Sequence, residues 1–539
     1  MSEKSVEKYG ADQVEAVERR QSTSEAVTEL SGIEATAAST AAWLISITVS
    51  VGGFLFGYDT GYISSVLVTM GTSLGHELSS DEQELVTSLT SGGALVGAVF
   101  AGLIADRYGR KWPIWSACLL FVIGTVLQTC AYHLVQFAVG RFVVGLGVGS
   151  AAMICPLYIG ELAPAKYRGR MIAFNNMSVT FGQLVASAIG AGFQHVHGEG
   201  WRATVAIGAA PPIALAGLLL LCPESPRQLV SHGKHEAAEQ VLLKIYPTST
   251  SEQRQAKIKS IEMSLQEVTS AMTKESLWTT LKRIFTTPAT GRAVLTACIV
   301  MAISQLGGFN TLMYYAATLF KMVGFTNATA VAITVSGTNF IFSIVNLVLV
   351  DKFGRRVLLC VTVLGMSICM MIAAVSFHYI PISKDLVVES DHIGWPATLV
   401  LVAIIVYVAC FSSGVATIAW IGTELIPLEV RALGTMLSLT SWVPLQQNTV
   451  TCWSTNIIIA STFLSIMKGA TPSGAFGLYS AICFVGWLFI IFCYPECKGM
   501  PLETVREVFR TGFGVRYSKR WQREHKHLTK VSTHTSFGH

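Results

Sequence analysis

Asp59 is the one charged residue between Trp43 and Met70, in a run apolar enough to cross a bilayer. A carboxylate at such a depth is costly unless it is paired or hydrated, so it marks a functional position. Arg141 stands equally alone among apolar residues between His133 and Glu161 and is the natural partner. Burial disfavours an ionised carboxylate, while a nearby guanidinium favours it. Approach or separation of the two would therefore toggle a proton on Asp59, and the pair is a candidate proton-coupling device.

A second set of charges recurs. Gly102-x3-Asp106-Arg107-x-Gly109-Arg110 is followed by Glu161-x6-Arg168, and Asp351-Lys352-x-Gly354-Arg355 is followed by Glu424-x6-Arg431. The same two motifs in the same order point to a duplicated unit. Each motif falls at the end of an apolar run, where Asp106, Arg110, Glu161 and Arg168 could meet Asp351, Arg355, Glu424 and Arg431 across an interface. The expectation is a gate whose ion pairs bridge the two units in one state and part in another.

These residues need membrane-spanning elements to hold them. Of the 539 residues, 51% are hydrophobic and only 13% are charged, about half the charged share of an ordinary soluble domain. Apolar runs of helix-spanning length begin near Trp43, Leu85, Pro113, Leu134, Met171 and Ala203, and again near Arg292, Ala328, Val357, Trp395, Leu433 and Ala475. The reading is an all-α membrane protein of twelve transmembrane helices in two six-helix halves. Residues 1–40 form a tail, 41–225 the first half and 226–290 a polar linker with short amphipathic helices. Residues 291–495 form the second half and 496–539 a second tail. Related halves suit alternating access, with substrate held near the midplane.

Lys and Arg concentrate after the second, fourth and eighth runs and in the linker. The positive-inside rule places those loops and both termini in the cytoplasm. Asn327-Ala328-Thr329 is then an external glycosylation sequon. The net charge of +5 is small and spread over short clusters, which argues against nucleic acid as a partner. Twelve scattered cysteines show no metal-ligand or disulfide spacing. No nucleophile motif, phosphate loop or metal cluster suggests an enzyme, and no cofactor is expected.

From Trp43 to Phe509 the chain resembles the sugar porter branch of the major facilitator superfamily. The resemblance rests on Gly57-Tyr58-Asp59-Thr60-Gly61, the two Asp/Gly/Arg loops, Gly140-Arg141, Pro223-Glu224-Ser225-Pro226-Arg227 and Pro495-Glu496-Cys497-Lys498-Gly499. Within that branch, Gly57–Val68, Gln228 and Asn310-Thr311-Leu312-Met313-Tyr314-Tyr315 look most like fungal myo-inositol transporters. The resemblance implies a proton-coupled symporter of myo-inositol or a related polyol, with sugar or polyol, protons and lipid as its partners, and the sequon and tails are compatible with the plasma membrane. A hexose or pentose carrier and a non-transporting nutrient receptor of the same fold are the alternatives.

The resemblance also implies a binding site. Gln183, Gln305, Asn310, Tyr314 and Asn339 match sugar-binding positions, and neutral amides and hydroxyls suit a polyol, because each buried hydroxyl left unpaired costs about 1–3 kcal/mol. Asn176 stands where the family has a glutamine, and Ser304-Gln305 where it has two. Both changes shorten a side chain facing the cavity and disfavour a common hexose. Trp420 lies four residues before Glu424 rather than the family's five. Residues 433–467 are too many for one crossing. With Ser438–Gln447 treated as an insertion, Trp453 aligns with a family tryptophan and Cys452 with a position that is often polar.

Overall fold

The computed structural model describes residues 33, 39–164, 166–196, 199–274, 287–382, 394–421, 445–496, 500, 507–510 and 512–524. Within these, the side chains of residues 106, 267–274, 351, 421 and 445–448 are not described. The first five spans are Thr40–Thr69, Ser80–Tyr108, Lys111–Thr129, Leu134–Leu162 and Arg168–Phe193. The sixth, Gly200–Leu219, has a slight break before Ala210. Linker helices Pro226–Ser231, His235–Ile245 and Ser251–Lys274 follow. The second half opens with a seventh span in two pieces, Pro288–Leu306 and Phe309–Met322. The eighth is Ala328–Phe353, the ninth Arg355–His378, and the tenth is again in two pieces, Trp395–Ser413 and Val415–Ile421. Leu445–Ala460 begins the eleventh. Phe463–Cys493 turns back at Thr471 (φ 63°, ψ 158°) ahead of Pro472, so its first part completes the eleventh span and the rest forms the twelfth.

Ten of the described helical stretches are long and apolar enough to cross a membrane by themselves. The fifth is not among them, because Arg168, Arg170, Asn175, Asn176 and Gln183 make it too polar. It holds its place by close packing on the first span. A Cβ at Gly57 would overlap the Val179 carbonyl, and one at Gly61 the Gln183 carbonyl. Small residues four apart let two backbones approach in this way inside a bilayer. Around the bundle, Leu221, Val135 and Phe492 stand exposed, a surface only hydrocarbon would cover.

The repeat seen in the sequence has a structural counterpart. Gly109 (φ 96°) and Gly354 (φ 86°) close the second and eighth spans in a conformation glycine adopts freely. Each is followed by a helix start capped by a distant glutamate. Glu224 Oε1 accepts from the Arg110 N–H at 3.0 Å. Glu496 accepts from the N–H groups of Arg355 at 3.3 Å and Arg356 at 2.9 Å.

Packing differs between the two ends of the bundle. At the end away from the Arg-rich loops, called here the far end, Tyr62, Val66 and Met70 share one hydrophobic core with Leu312, Tyr315 and Phe320 of the other half. Toward the basic end the first half keeps a core of its own, joined from the second half by Trp453. Among the described residues, the halves thus share a core at the far end, while toward the basic end Trp453 is the second half's one member of the first half's core.

Candidate functional site

Between the halves lies a cavity with about 1120 Å³ of empty space, mouth included. Its walls come from the first, fourth and fifth spans on one side and the seventh, eighth, tenth and eleventh on the other. Lining residues run from mid-helix, such as Gln305 and Asn310, to Ala173, Leu347 and Trp420 near the basic end.

Two helix breaks shape it. The seventh span is interrupted at Gly307-Gly308, with Gly308 left-handed (φ 95°), and the tenth at Gly414. A broken helix frees backbone groups that must find partners in a membrane. The Gly307 carbonyl accepts from the Tyr407 hydroxyl at 2.8 Å. Phe309 stacks on Phe411 at 4.0 Å, 9° from parallel, tying the two breaks together.

The amides at the breaks and beside them are linked to one another. Asn310 Nδ2 donates to Gln305 Oε1 at 2.5 Å. Gln183 Nε2 donates to Thr60 Oγ1 at 3.2 Å, Asn339 Nδ2 to Gln183 Oε1 at 2.6 Å, and Ser412 Oγ to Asn339 Oδ1 at 2.6 Å. This chain of bonds crosses from the first half to the second.

Of the residues the sequence singled out for binding, Asn176, Gln183, Gln305, Asn310, Asn339 and Trp420 line the cavity, as do Ser304 and Cys452. Tyr314 and Trp453 do not line it in this conformation. The Tyr314 hydroxyl is drawn away to Asn456 Oδ1 at 3.3 Å. The Trp453 indole is buried edge-on against Phe56, 5.4 Å between ring centres, in the first half's core. Two lining residues went unnoticed in the sequence. Asn456 also accepts from Ser91 Oγ at 3.3 Å, and Asn175 is buried with its Oδ1 lacking a partner among the described residues. Asn456 lies one helical turn from Trp453, and Asn175 stands next to Asn176, which was the available signal.

Asp59 and Arg141 meet, but outside the cavity wall. Arg141 Nη1 donates to Asp59 Oδ1 at 2.6 Å, with both side chains 1% exposed. The Tyr62 hydroxyl stands 2.9 Å from Asp59 Oδ1, 3.0 Å from Arg141 Nη1 and 2.9 Å from Gln128 Oε1. Arg141 Nε donates to the Val86 carbonyl at 3.2 Å. Asp59 Oδ2 is buried without a partner among the described residues. Tyr62 and Gln128 were missed because a tyrosine and a glutamine carry no charge to flag them.

The expected gate charges are only partly described. Arg110 binds Glu161 at 2.9 Å and also donates to Gln228 Oε1 at 2.7 Å and the Ala105 carbonyl at 2.9 Å. Of these partners, Glu161 and Ala105 belong to its own half and Gln228 to the linker. Arg168 is exposed at the head of the fifth span. Asp106 and Asp351 sit in the last turns of the second and eighth spans, with their side chains outside the described residues. Glu424 and Arg431 lie wholly outside them, as do residues 438–444 of the expected insertion, whereas Leu445 to Gln447 begin a helix. Asn327 is exposed at the head of the eighth span, at the far end.

Two related halves around an amide-lined cavity define a secondary carrier. The family model described as "Sugar (and other) transporter" matches residues 45–509, and the chain belongs to that family. Myo-inositol transporter 1 of Cryptococcus neoformans is 41% identical over 485 residues, covering 89% of this chain and 83% of that protein. Myo-inositol transporter 1 of Saccharomyces cerevisiae is 38% identical over 487 residues, covering 89% and 81%. Among solved structures, the partially occluded inward-open form of the xylose transporter XylE from E. coli superposes with a TM-score of 0.68 at 25% identity, covering 86% of this chain and all of that one.

Proposed function

We propose that this protein is a proton-coupled symporter of myo-inositol or a related polyol, working by alternating access in the plasma membrane. The observation that carries the reading is a cavity between the halves lined by neutral amides, with a sealed Asp59–Arg141 pair one residue from the Thr60 hydroxyl that Gln183 binds. Asn176, Gln183, Gln305, Asn310 and Asn339 would bind the ring hydroxyls, and Trp420 would cover an apolar C–H face. Tyr314 and Trp453 would join them when the second half swings. The relatives named as myo-inositol transporters support the substrate.

Asp59 would carry the proton. Its Oδ2 lacks a partner among the described residues, so a proton can be added there while Oδ1 keeps Arg141. Neutralising the carboxylate weakens its hold on Arg141, and the same charge change reaches the cavity through Thr60 and Gln183. With both termini and the basic loops in the cytoplasm, the conformation described here faces inward. Asp106, Arg110, Glu161 and Arg168, with Asp351, Arg355, Glu424 and Arg431, would close the cytoplasmic face in the opposite state, and Asn327 would carry a glycan outside.

The test is radiolabelled myo-inositol uptake, with and without a proton uncoupler, in cells lacking their own inositol carrier. Uptake that collapses with the uncoupler is the expected result. Uncoupler-insensitive uptake overturns the coupling. No myo-inositol uptake, with uptake of a hexose or pentose instead, overturns the substrate.

A further inference from the structure

Glu84 lies in the second turn of the second span, at the far end, and is buried. Its carboxylate takes two hydrogen bonds from a single residue of the other half. Oε1 accepts from the Ser465 N–H at 2.8 Å, and Oε2 from the Ser465 hydroxyl at 2.6 Å. Neither residue lines the cavity or touches the Asp59–Arg141 pair.

Its meaning follows from where Ser465 sits. The eleventh span breaks at Ser461-Thr462 and restarts at Phe463. A helix start leaves its first N–H groups without intrahelical acceptors. Thr462 is the residue placed to cap them, but its side chain makes no capping bond. The Thr462 and Ser461 hydroxyls both donate to the Ile458 carbonyl, at 2.7 and 3.2 Å. The cap comes from Glu84 instead, from the opposite half, and a carboxylate is also the group that the positive end of a helix dipole favours.

We propose that Glu84 is the latch of the far-side gate, capping the second helix of the eleventh span in trans and letting go when the halves part at this end. Other bonds joining the halves nearby are between neutral groups. The Ala317 N–H donates to Ser64 Oγ at 2.8 Å, and Ser91 Oγ to Asn456 Oδ1 at 3.3 Å. Hydrogen bonds to an ionised acceptor are roughly twice as strong as neutral ones, so Glu84 biases the gate toward closure more than either. Opening exposes both the carboxylate and the uncapped helix start to water, and closing strips that water away. The latch sets the balance between the two states without touching substrate. This inference rests on the alternating-access reading.

The experiment measures the gate without substrate. Spin labels at Glu77→Cys and Thr326→Cys, exposed positions in far-end loops of the two halves, report their separation by double electron–electron resonance in lipid nanodiscs, with other reactive cysteines replaced. Glu84→Ala should add a longer-distance population. In cells, the same substitution should tighten apparent substrate affinity measured from the far side by about fivefold and weaken it from the basic side, since apparent affinity scales with the fraction of the competent state. Glu84→Gln, which keeps one acceptor for the Ser465 N–H, should fall between. Should Glu84→Ala not fold, Ser465→Ala serves, with a smaller shift of the same sign. Distances unchanged in the folded variants overturn the latch. So does a loss of maximal rate with both affinities unchanged, the outcome of mere structural damage. A chain that opens on substitution yet carries no myo-inositol would sink the substrate and leave the latch standing.

Discussion

Asp59 and Arg141 come from the same half and are sealed from solvent, whereas the cavity amides come from both halves and face a space that reaches the basic end. The first site lies within one half, so rocking of the halves by itself need not part Asp59 from Arg141, and a change of charge on the carboxylate is what would loosen the pair. The second must be rebuilt at each stroke, and neutral amides can exchange protein, water and substrate partners at small cost. Of these two sites, the charged one is contained in one half and the neutral one spans both, with the Glu84 carboxylate at the far end the charged contact that crosses the interface. The two sites touch at Thr60, which follows Asp59 and accepts from Gln183.

The most severe way to break this comparison is to leave the sealed charge alone. Arg141→Met strands a buried carboxylate and should cost about 3–5 kcal/mol of stability, read as a large drop in melting temperature of the purified protein. Asp59→Asn combined with Arg141→Met should recover much of that loss. If the double variant is no more stable than Arg141→Met alone, the sealed pair is not the source of the cost.

Asp59→Asn by itself keeps the volume and an acceptor for Arg141 but removes the titratable group. Concentrative uptake should vanish, while exchange of labelled for unlabelled substrate across the membrane persists. Accumulation against a gradient by this variant would move the coupling elsewhere.

Much of this division was legible in the chain. Two lone charges in apolar runs are visible without coordinates, and so is the repeated Asp-x-x-Gly-Arg loop, because a bilayer forbids accidental charge. The fifth span was legible too, although its polarity keeps it below the threshold of an apolar span. What the sequence could not show is which way a neutral polar side chain turns. Tyr62 and Gln128 complete the ion pair through contacts between residues 66 apart. Arg110 pairs with Glu161 of its own half and with Gln228, which it meets because the linker folds back toward the fourth span, and no spacing in the chain announces either contact.

On the cavity side the effects should be smaller and confined to affinity. Gln183→Ala removes the amide joining Thr60 to Asn339 and forfeits bonds each worth about 0.5–1.5 kcal/mol, so apparent affinity should fall by roughly three- to twentyfold with expression unchanged. A fall in expression equal to that of Arg141→Met would mean that Gln183 is part of the scaffold. Asn339→Ala should match it, and the two together should lose less than the sum, because they share one bond.

The mildest test sharpens the comparison without disrupting either site. Ser304 and Asn176 face the cavity from opposite halves, and each is shorter than a glutamine. Ser304→Gln and Asn176→Gln extend an amide into the space without altering any charge. One correctly met hydrogen bond of about 0.5–1.5 kcal/mol corresponds to a selectivity change of a few-fold up to about tenfold. Each substitution should therefore move the ratio of hexose to myo-inositol uptake upward, with uncoupler sensitivity unchanged. A change in selectivity that carried coupling with it would show that the cavity amides also set the state of Asp59, and the separation between sealed charge and movable amides would then be one of position alone.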